Sequence, residues 1–315
     1  MTSETQSTQL DQNHSESFQA NGQVDHDGDV LLNGEGENNR NRMDMNGSAD
    51  QTVLNLYRPT GTPSTYHAAT PRELYDINFV FPFHVLHTDH VRLEPLVPSV
   101  HLSGFLRLPP ESWIHFGDLG PYTRKTALED IESYRADPTC LLLAVIDLQL
   151  EARGDDGFAG VYGLIEVNQE YMTAVFGLIN ILPKYQRTHI NTHAMALILS
   201  YLFEEVHLIR IQYDAVTYNA PSIRAAERFG FKKEGVFRNF NGIVPSHKKI
   251  KDHTMGAGKK EQKSKSQDMW VGSLTDYDWF YDGTKTKFAT MLERPVVNTT
   301  MLNGTTPKSE GRLDE

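Results

Sequence analysis

Cysteine is almost absent from this 315-residue chain, with Cys140 the single example. That excludes an intramolecular disulfide framework and fits a reducing compartment. Cys140 opens an apolar run that ends at Ile146, so it reads as a buried structural thiol rather than a nucleophile. Long apolar stretches are missing too. The run from Cys140 to Ile146 comes nearest to a membrane span and is only strand-sized, so no membrane contact is expected. Positive charge is scarce: 30 Lys and Arg stand against 41 Asp and Glu, a net of −11 at pH 7. Residues 1–56 carry ten acids against Arg40 and Arg42, a net of −8, which leaves about −3 for the rest. That remainder is too acidic and too diffuse for a nucleic-acid surface.

The same segment is rich in Asn, Gln, Ser and Gly and poor in apolar side chains. It cannot bury enough surface to offset its ordering entropy, so disorder is expected over residues 1–70. It lacks the cationic start and apolar run of a secretory leader and is too acidic for a transit peptide. A cytoplasmic location is expected, with the nucleus also open. His84, His87 and His90 suggest a metal, but in a strand His84 and His90 share one face and His87 takes the other. No cysteine or acidic cluster completes a set, and no metal is expected.

What is present is concentrated between Phe176 and Phe240. An apolar run, Phe176 to Leu182, ends at Pro183 and predicts a strand. A polar turn, Lys184 to Asn191, then leads into apolar residues at Ala194, Leu197, Ile198, Tyr201 and Leu202, the spacing of a buried helix face. A second strand covers Ile209 to Val216. Asn219 begins a short helix, with Pro221 in its first turn and Gly230 at its end. Strand, polar loop, helix, strand, short helix and strand make an α/β unit. The loop delivers a strand onto a helix N-terminus, where N–H groups without internal partners and the helix dipole suit a phosphate. Gln186, Arg187, Thr188, His189, Ile190, Asn191 and Thr192 include no glycine. The loop alone therefore reads equally as an ordinary strand-to-helix connection.

The order of elements resembles the core of the GCN5-related N-acetyltransferases (GNAT), which hold acetyl-CoA with a Q/R-x-x-G-x-G/A loop after their fourth strand. Gln186, His189 and Asn191 fall on the three motif positions; Gln186 matches, and His189 and Asn191 depart. Asn219-x-x-Ser222, Gly230-Phe231 and Glu234-Gly235 resemble the signature of the branch that acetylates ribosomal-protein N-termini. The resemblance covers about Val91 to Leu292. It implies an α/β (α+β) fold: a mixed, mostly antiparallel central sheet with flanking helices, the acyl-CoA N-acyltransferase fold. The domain is expected over 74–295, with a Lys-rich loop at 242–267 and a flexible tail at 296–315. That loop holds seven lysines against Asp252 and Glu261 and reads as solvated surface or as a guide for an acidic acceptor.

The resemblance also assigns roles. Two neighbouring strands should splay to admit the pantetheine arm, with Ile179 and Ile181 offering backbone groups and the Ile181 N–H polarising the thioester carbonyl. Residues 186–192, Asn219 and Ser222 should hold acetyl-CoA. The loop between the first two helices should place Trp113, His115, Phe116 and Tyr122 near the acceptor. The glutamate that relatives often carry before the strand-four glycine is replaced here by Val175 and Phe176, which makes Glu166 the expected base, with Tyr218 and His189 weaker replacements. The tyrosine that protonates the leaving thiolate in many members falls at Ala226. The expected partners are acetyl-CoA and an amine acceptor on a small molecule or peptide N-terminus; the oligomeric state is open. Two other readings remain: a CoA-binding protein without turnover, and an interaction protein that uses its tails.

Overall fold

A computed structural model describes residues 53–55, 66–117, 119–243 and 265–299. The acidic segment up to residue 52 and the chain after Thr299 lie outside the described residues, as does most of the Lys-rich insertion, 244–264.

The β-branched and aromatic runs pair into one eight-stranded sheet. Its strands are β1 (Leu86–His87), β2 (Val91–Pro95), β3 (Leu141–Asp147), β4 (Phe158–Asn168), β5 (Thr173–Ile181), β6 (Arg210–Val216), β7 (Lys232–Ile243) and β8 (Lys265–Thr275). Their spatial order is β1-β2-β3-β4-β5-β6-β8-β7. Every neighbouring pair is antiparallel except β5 and β6, which run parallel. A parallel pair needs a crossover, and α4 (Ile190–Ser200) supplies it. The GNAT arrangement expected from the sequence, a mostly antiparallel mixed sheet with flanking helices, is the one observed.

Helices α1 (Pro98–Phe105) and α2 (Arg124–Ala136) lie between β2 and β3 in the chain, with Thr123 and Thr126 forming a capping box at the start of α2. A short α3 (Leu148–Glu151) follows β3. After β6 comes α5 (Ala220–Phe229), closed by Gly230 at φ +100, a left-handed position that glycine adopts without strain. Two further helices, α6 (Asp276–Phe280) and α7 (Thr284–Leu292), follow β8. Thr275 and Asp278 form a capping box at the start of α6.

Helix α4 departs from its sequence pattern. Spacing predicted one buried face, yet Ile190, Thr192, His193, Ala194, Met195, Ala196, Ile198 and Leu199 are all buried. The helix lies against β2 and also packs on α7, so both its sides are covered. Beyond Ser200 it widens into a π-turn over Tyr201–Glu205, with Val206 N–H donating to Tyr201 O.

Four boundaries differ from expectation, each through a long-range contact. Val53 to Asn55 are tied to the domain: Leu54 bridges to Asp76, Asn55 Nδ2 donates to Phe81 O, and Phe79 N–H donates to Asn55 Oδ1. Tyr66 and Ala68 pack on the core ahead of the expected start at Leu74. The Lys-rich loop is shorter than 242–267, because Gly242 pairs with Ser266 and Ile243 with Lys265 in the ladder of β7 and β8. Past Arg294, Thr299 is fully buried and its N–H and hydroxyl donate to Gln149 Oε1. The three early histidines do not share a strand. His84 is exposed and meets Glu205 at 2.7 Å, His87 lies in β1, and His90 turns toward α4.

Candidate functional site

The parallel ladder between β5 and β6 is short. It pairs Thr173 with Arg210 and ends at Phe176 with Tyr213. Beyond that rung β5 stays on β4 as far as Ile181 opposite Gly160, and β6 stays on β8 as far as Val216 opposite Met269. The two central strands therefore diverge, and each leaves one backbone edge unpaired over Gly177–Ile181 and Asp214–Val216. A bulge sets the vertex. Gly163 pairs with Leu178 but Leu164 pairs with Phe176, so Gly177 is the extra residue. A Cβ there would lie 2.6 Å from Ile165 Cγ2, which explains the glycine.

Strand polarity decides which amides face the split. Leu182 N–H donates to Ala159 O on the β4 side. Alternate residues of an antiparallel strand point the other way, so the backbone groups of Ile181 and Ile179 face the gap. The Ile181 carbonyl accepts from Gln186 Nε2 at 3.1 Å, so Gln186 braces the loop against the end of β5.

The loop after β5 reaches α4 without glycine and still leaves amides open. Arg187 takes the left-handed conformation, φ +62, and its exposed guanidinium has no hydrogen bond or ion pair among the described residues. His189, at the first-glycine position of the resemblance, sits at φ −68 and ψ −23, a right-handed conformation that any residue adopts. Its ring turns inward, against His90 and His193 at 5.7 and 5.5 Å, and away from the loop's outer surface. The N–H groups of Tyr185, Gln186, Thr188 and Ile190 are bonded within the loop. Those of Arg187, His189 and Asn191 have no intramolecular acceptor among the described residues. This alternating set of donors at a helix N-terminus suits an anion.

The side chains of the loop mostly serve the fold. Both threonine hydroxyls of the loop are engaged internally. Thr188 Oγ1 donates to Tyr185 O at 2.6 Å, and Thr192 Oγ1 accepts from Arg228 at 3.2 Å. Ile190 is fully buried, and the Asn191 side chain accepts from Tyr162 OH. Burial lowers the pKa of His189 below its ordinary value and brings that of His193 down to about 4. His193 Nδ1 shares a hydrogen bond with Thr88 Oγ1 at 2.9 Å, while its Nε2 and both nitrogens of His189 have no partner among the described residues. Among the described residues no group of three or more His, Cys, Asp or Glu is arranged to hold a metal ion.

Asn219 and Ser222 meet at the second strand-to-helix junction. Asn219 Oδ1 accepts from Ser222 N–H at 3.3 Å and caps α5, and Ser222 Oγ lies 3.0 Å from Tyr213 OH. Tyr213, Phe176, Tyr162 and Phe231 form an aromatic lining on this face, with centroids 5.3 to 6.2 Å apart. Ala226 is fully buried in α5. Asn219→Ala should lower stability by about 1 kcal/mol through loss of the cap. A fall in melting temperature with unchanged CoA affinity would mark the residue as structural only; a fall in both would place it at the ligand.

The opposite face of the sheet carries the other half of the site. Asn180 pairs with Val161 while Ile179 pairs with Tyr162, so Asn180 points away from α4 and reaches Ser112 Oγ at 3.1 Å. The connection between α1 and α2 therefore covers this face. Of its aromatics, Trp113 is buried among Phe105, Phe116 and Tyr122 as core. His115 lies just past the end of β6: its ring is 5.4 Å from Tyr218, whose hydroxyl accepts from Gln267 Nε2. Desolvation lowers the His115 pKa, so its imidazole is neutral at pH 7. Glu166, the expected base, is exposed at φ +51 in the irregular end of β4, beyond the closed side of the vertex.

Sequence reading missed Asp214. It is the first β6 residue past the last parallel rung and alternates with Tyr213, so its carboxylate lies on the face of Asn180 and His115. Oδ2 accepts from Gln212 Nε2 at 3.1 Å, and Oδ1 is enclosed without a partner among the described residues. Burial, then the charge of Glu166, raise its pKa against the opposing pull of Gln212 and Arg210. The available signal was a polar pair, Gln212-x-Asp214, inside an otherwise apolar strand.

A mixed sheet parted between two parallel strands, with a helix N-terminus beside the gap, leaves a crevice at the carboxyl ends of those strands that a ligand can enter. Residues 90–232 match the family described as Acetyltransferase (GNAT) domain. This stretch is accordingly similar to a GNAT acetyltransferase domain, and the fold around it is the GNAT fold. A GCN5-related N-acetyltransferase from Brucella melitensis superposes with a TM-score of 0.53 at 24% identity, covering 66% of this chain and 85% of that one. A probable GNAT-family acetyltransferase from Chromobacterium violaceum gives 0.53 at 24% identity, covering 70% and 99%. At this identity both likenesses show the fold alone. Among curated proteins, "Probable N-acetyltransferase YjcK" of Bacillus subtilis is 29% identical over 96 residues, 30% of this chain and 53% of that protein. The match thus spans about half the length of that relative.

Proposed function

We propose that the chain is an acetyl-CoA-dependent N-acetyltransferase acting on an amine of a small molecule or a peptide N-terminus. The observation that carries this is the split between β5 and β6, open to both faces of the sheet. One face holds the free amides of Arg187, His189 and Asn191; the other holds Asn180, His115, Tyr218 and Asp214. Pyrophosphate would sit on those amides with Arg187 beside it. The pantetheine arm would pair with the Ile179 and Ile181 backbone like an added strand. The thioester would then lie toward the vertex, its carbonyl polarised by the gap-facing N–H of Ile179, while Ile181, about 13 Å farther along the strand from Gly177, would pair with the pantetheine arm. The Asn219-x-x-Ser222 and Gly230-Phe231 motifs favour a peptide N-terminus, as in the ribosomal-protein-alanine acetyltransferase branch. A second reading, CoA binding without turnover, is supported by the buried Ala226, which offers the departing thiolate no hydroxyl.

Calorimetry with CoA and a thiol-release assay with an amine panel separate the two. Arg187→Glu should weaken CoA at least tenfold, because a charge-assisted contact is worth about 1.5–3 kcal/mol. Unchanged affinity would remove the loop from the site. CoA binding with no transfer to alkyl amines, diamines or N-terminal peptides would favour the second reading.

A further inference from the structure

We propose that Asp214 is the catalytic proton acceptor for the incoming amine, receiving it as a cation at the vertex of the split. This rests on the acetyltransferase reading above.

Position is the first argument. The last shared rung pairs Phe176 with Tyr213, and Asp214 is the next residue along β6. Tyr213 turns its hydroxyl to Ser222 on α5, so the alternating Asp214 turns its carboxylate to the face covered by the α1–α2 connection. Asn180 and His115 reach the same face. An acceptor entering from that side meets Asp214 where the thioester arrives from the other.

Chemistry is the second. Asp214 is partly exposed, yet one carboxylate oxygen is enclosed and has no partner among the described residues. A buried polar atom without a partner is rare in a finished structure and marks a group kept for something else. Along its own face, Val216, Met269 and Val271 form a separate apolar cluster, and Val271 is the β8 residue paired with Asp214. The charged groups acting on it are Glu166 from β4 and Arg210 from β6, and Arg210 is itself paired with Glu234 of β7 at 2.5 Å. Among the described residues Asp214 makes no ion pair, which leaves it available to an ammonium. Glu166, exposed beyond the closed side, contributes through charge.

The step balances as follows. Asp214 takes one proton from R–NH3+, leaving a neutral amine. The amine nitrogen forms a bond to the thioester carbon, and the carbon–sulfur bond breaks. A second nitrogen proton goes to the leaving thiolate, giving CoA thiol and the amide. Asp214 releases its proton to solvent.

The test uses the full chain, whichever panel amine the wild type acetylates best, and kcat/KM measured against pH. Wild type should give a plateau between the pKa of the carboxylate and that of the free amine. Asp214→Asn should lower kcat/KM about 100-fold near pH 7 and rise about tenfold per pH unit until the amine itself is neutral. CoA affinity should stay within about twofold. If Asp214→Asn does not fold, Asp214→Ser with added formate serves, because formate can restore the missing base and cannot repair a misfolded site. A wild-type pH profile in the asparagine variant, or a serine variant that formate does not rescue, overturns the proposal. So does loss of the low-pH limb in His115→Asn but not in Asp214→Asn. No transfer by the wild type to any amine sinks the acetyltransferase reading itself; transfer with an unaffected Asp214→Asn sinks only the residue.

Discussion

Glu94→Gln is expected to destabilise the protein by about 3–5 kcal/mol at pH 7, as breaking a buried ionic group does. Glu94 lies in β2 and is only 2% exposed. Its Oε2 accepts from Arg72 at 2.8 Å and Arg92 at 2.7 Å, and its Oε1 meets His101 Nε2 at 2.8 Å. Burial alone would raise its pKa, but His101, Arg92 and Arg72 together outweigh that and hold it at about 2. The sign follows from linkage. A carboxyl depressed in the folded state contributes its full stability above the ordinary value near 4.5 and loses it as pH falls toward 2. The difference between wild type and Glu94→Gln in urea should therefore be large at pH 7 and shrink between pH 4.5 and 2. A difference that does not change over that window would mean that packing, rather than charge, is responsible.

The second large effect is expected at Trp279. It is 1% exposed, stacked on Phe203 at 5.6 Å and packed against Phe288 at 5.7 Å. Its Nε1 donates to Glu204 Oε1 at 3.1 Å, and Lys285 meets the same carboxylate at 2.6 Å. This cluster joins α6 and α7 to the π-turn after α4. Trp279→Ala should lower stability by about 3–5 kcal/mol through the cavity and the lost ring contacts. For a domain of this size that is a melting shift on the order of 10 °C. The N-terminus of α4 lies at the other end of the helix, so CoA affinity well below the melting temperature should change little. A melting shift of less than a few degrees would show that the neighbouring rings collapse into the space.

Local patterns were legible because local energies decide them. The strands ending at Ile181 and Val216, the α5 cap at Asn219 with Gly230 at its end, and the Thr275–Asp278 capping box all follow from propensity and capping chemistry within a few residues. The order of those elements, with Asn219-x-x-Ser222 and Gly230-Phe231, was enough to point to the GNAT fold. The glycine-free loop looked like a defect in sequence, and conformation removes the difficulty. His189 needs no left-handed backbone, and only Arg187 takes the φ +62 that glycine favours.

Tertiary structure decided what depends on residues far apart in the chain. The inward turn of His189 requires His90 and His193 to line its pocket, and His90 comes from the hairpin between β1 and β2. The extent of β7 and β8 was hidden because the Lys-rich composition at 242–267 contains no alternating pattern, yet ladder bonds still form between Gly242 and Ser266. Gln186-Arg187-Thr188 declared the loop, but not that Thr188 and Thr192 would turn their hydroxyls inward. Asp214 was invisible for the same reason. Its place at the vertex depends on where the parallel ladder stops, and that is set by the bulge at Gly177 and the crowding of Ile165, some fifty residues away in the chain. The sequence by itself determined the elements, their caps and their order; pairing across the sheet determined where the central strands part and which side chains stand at the opening.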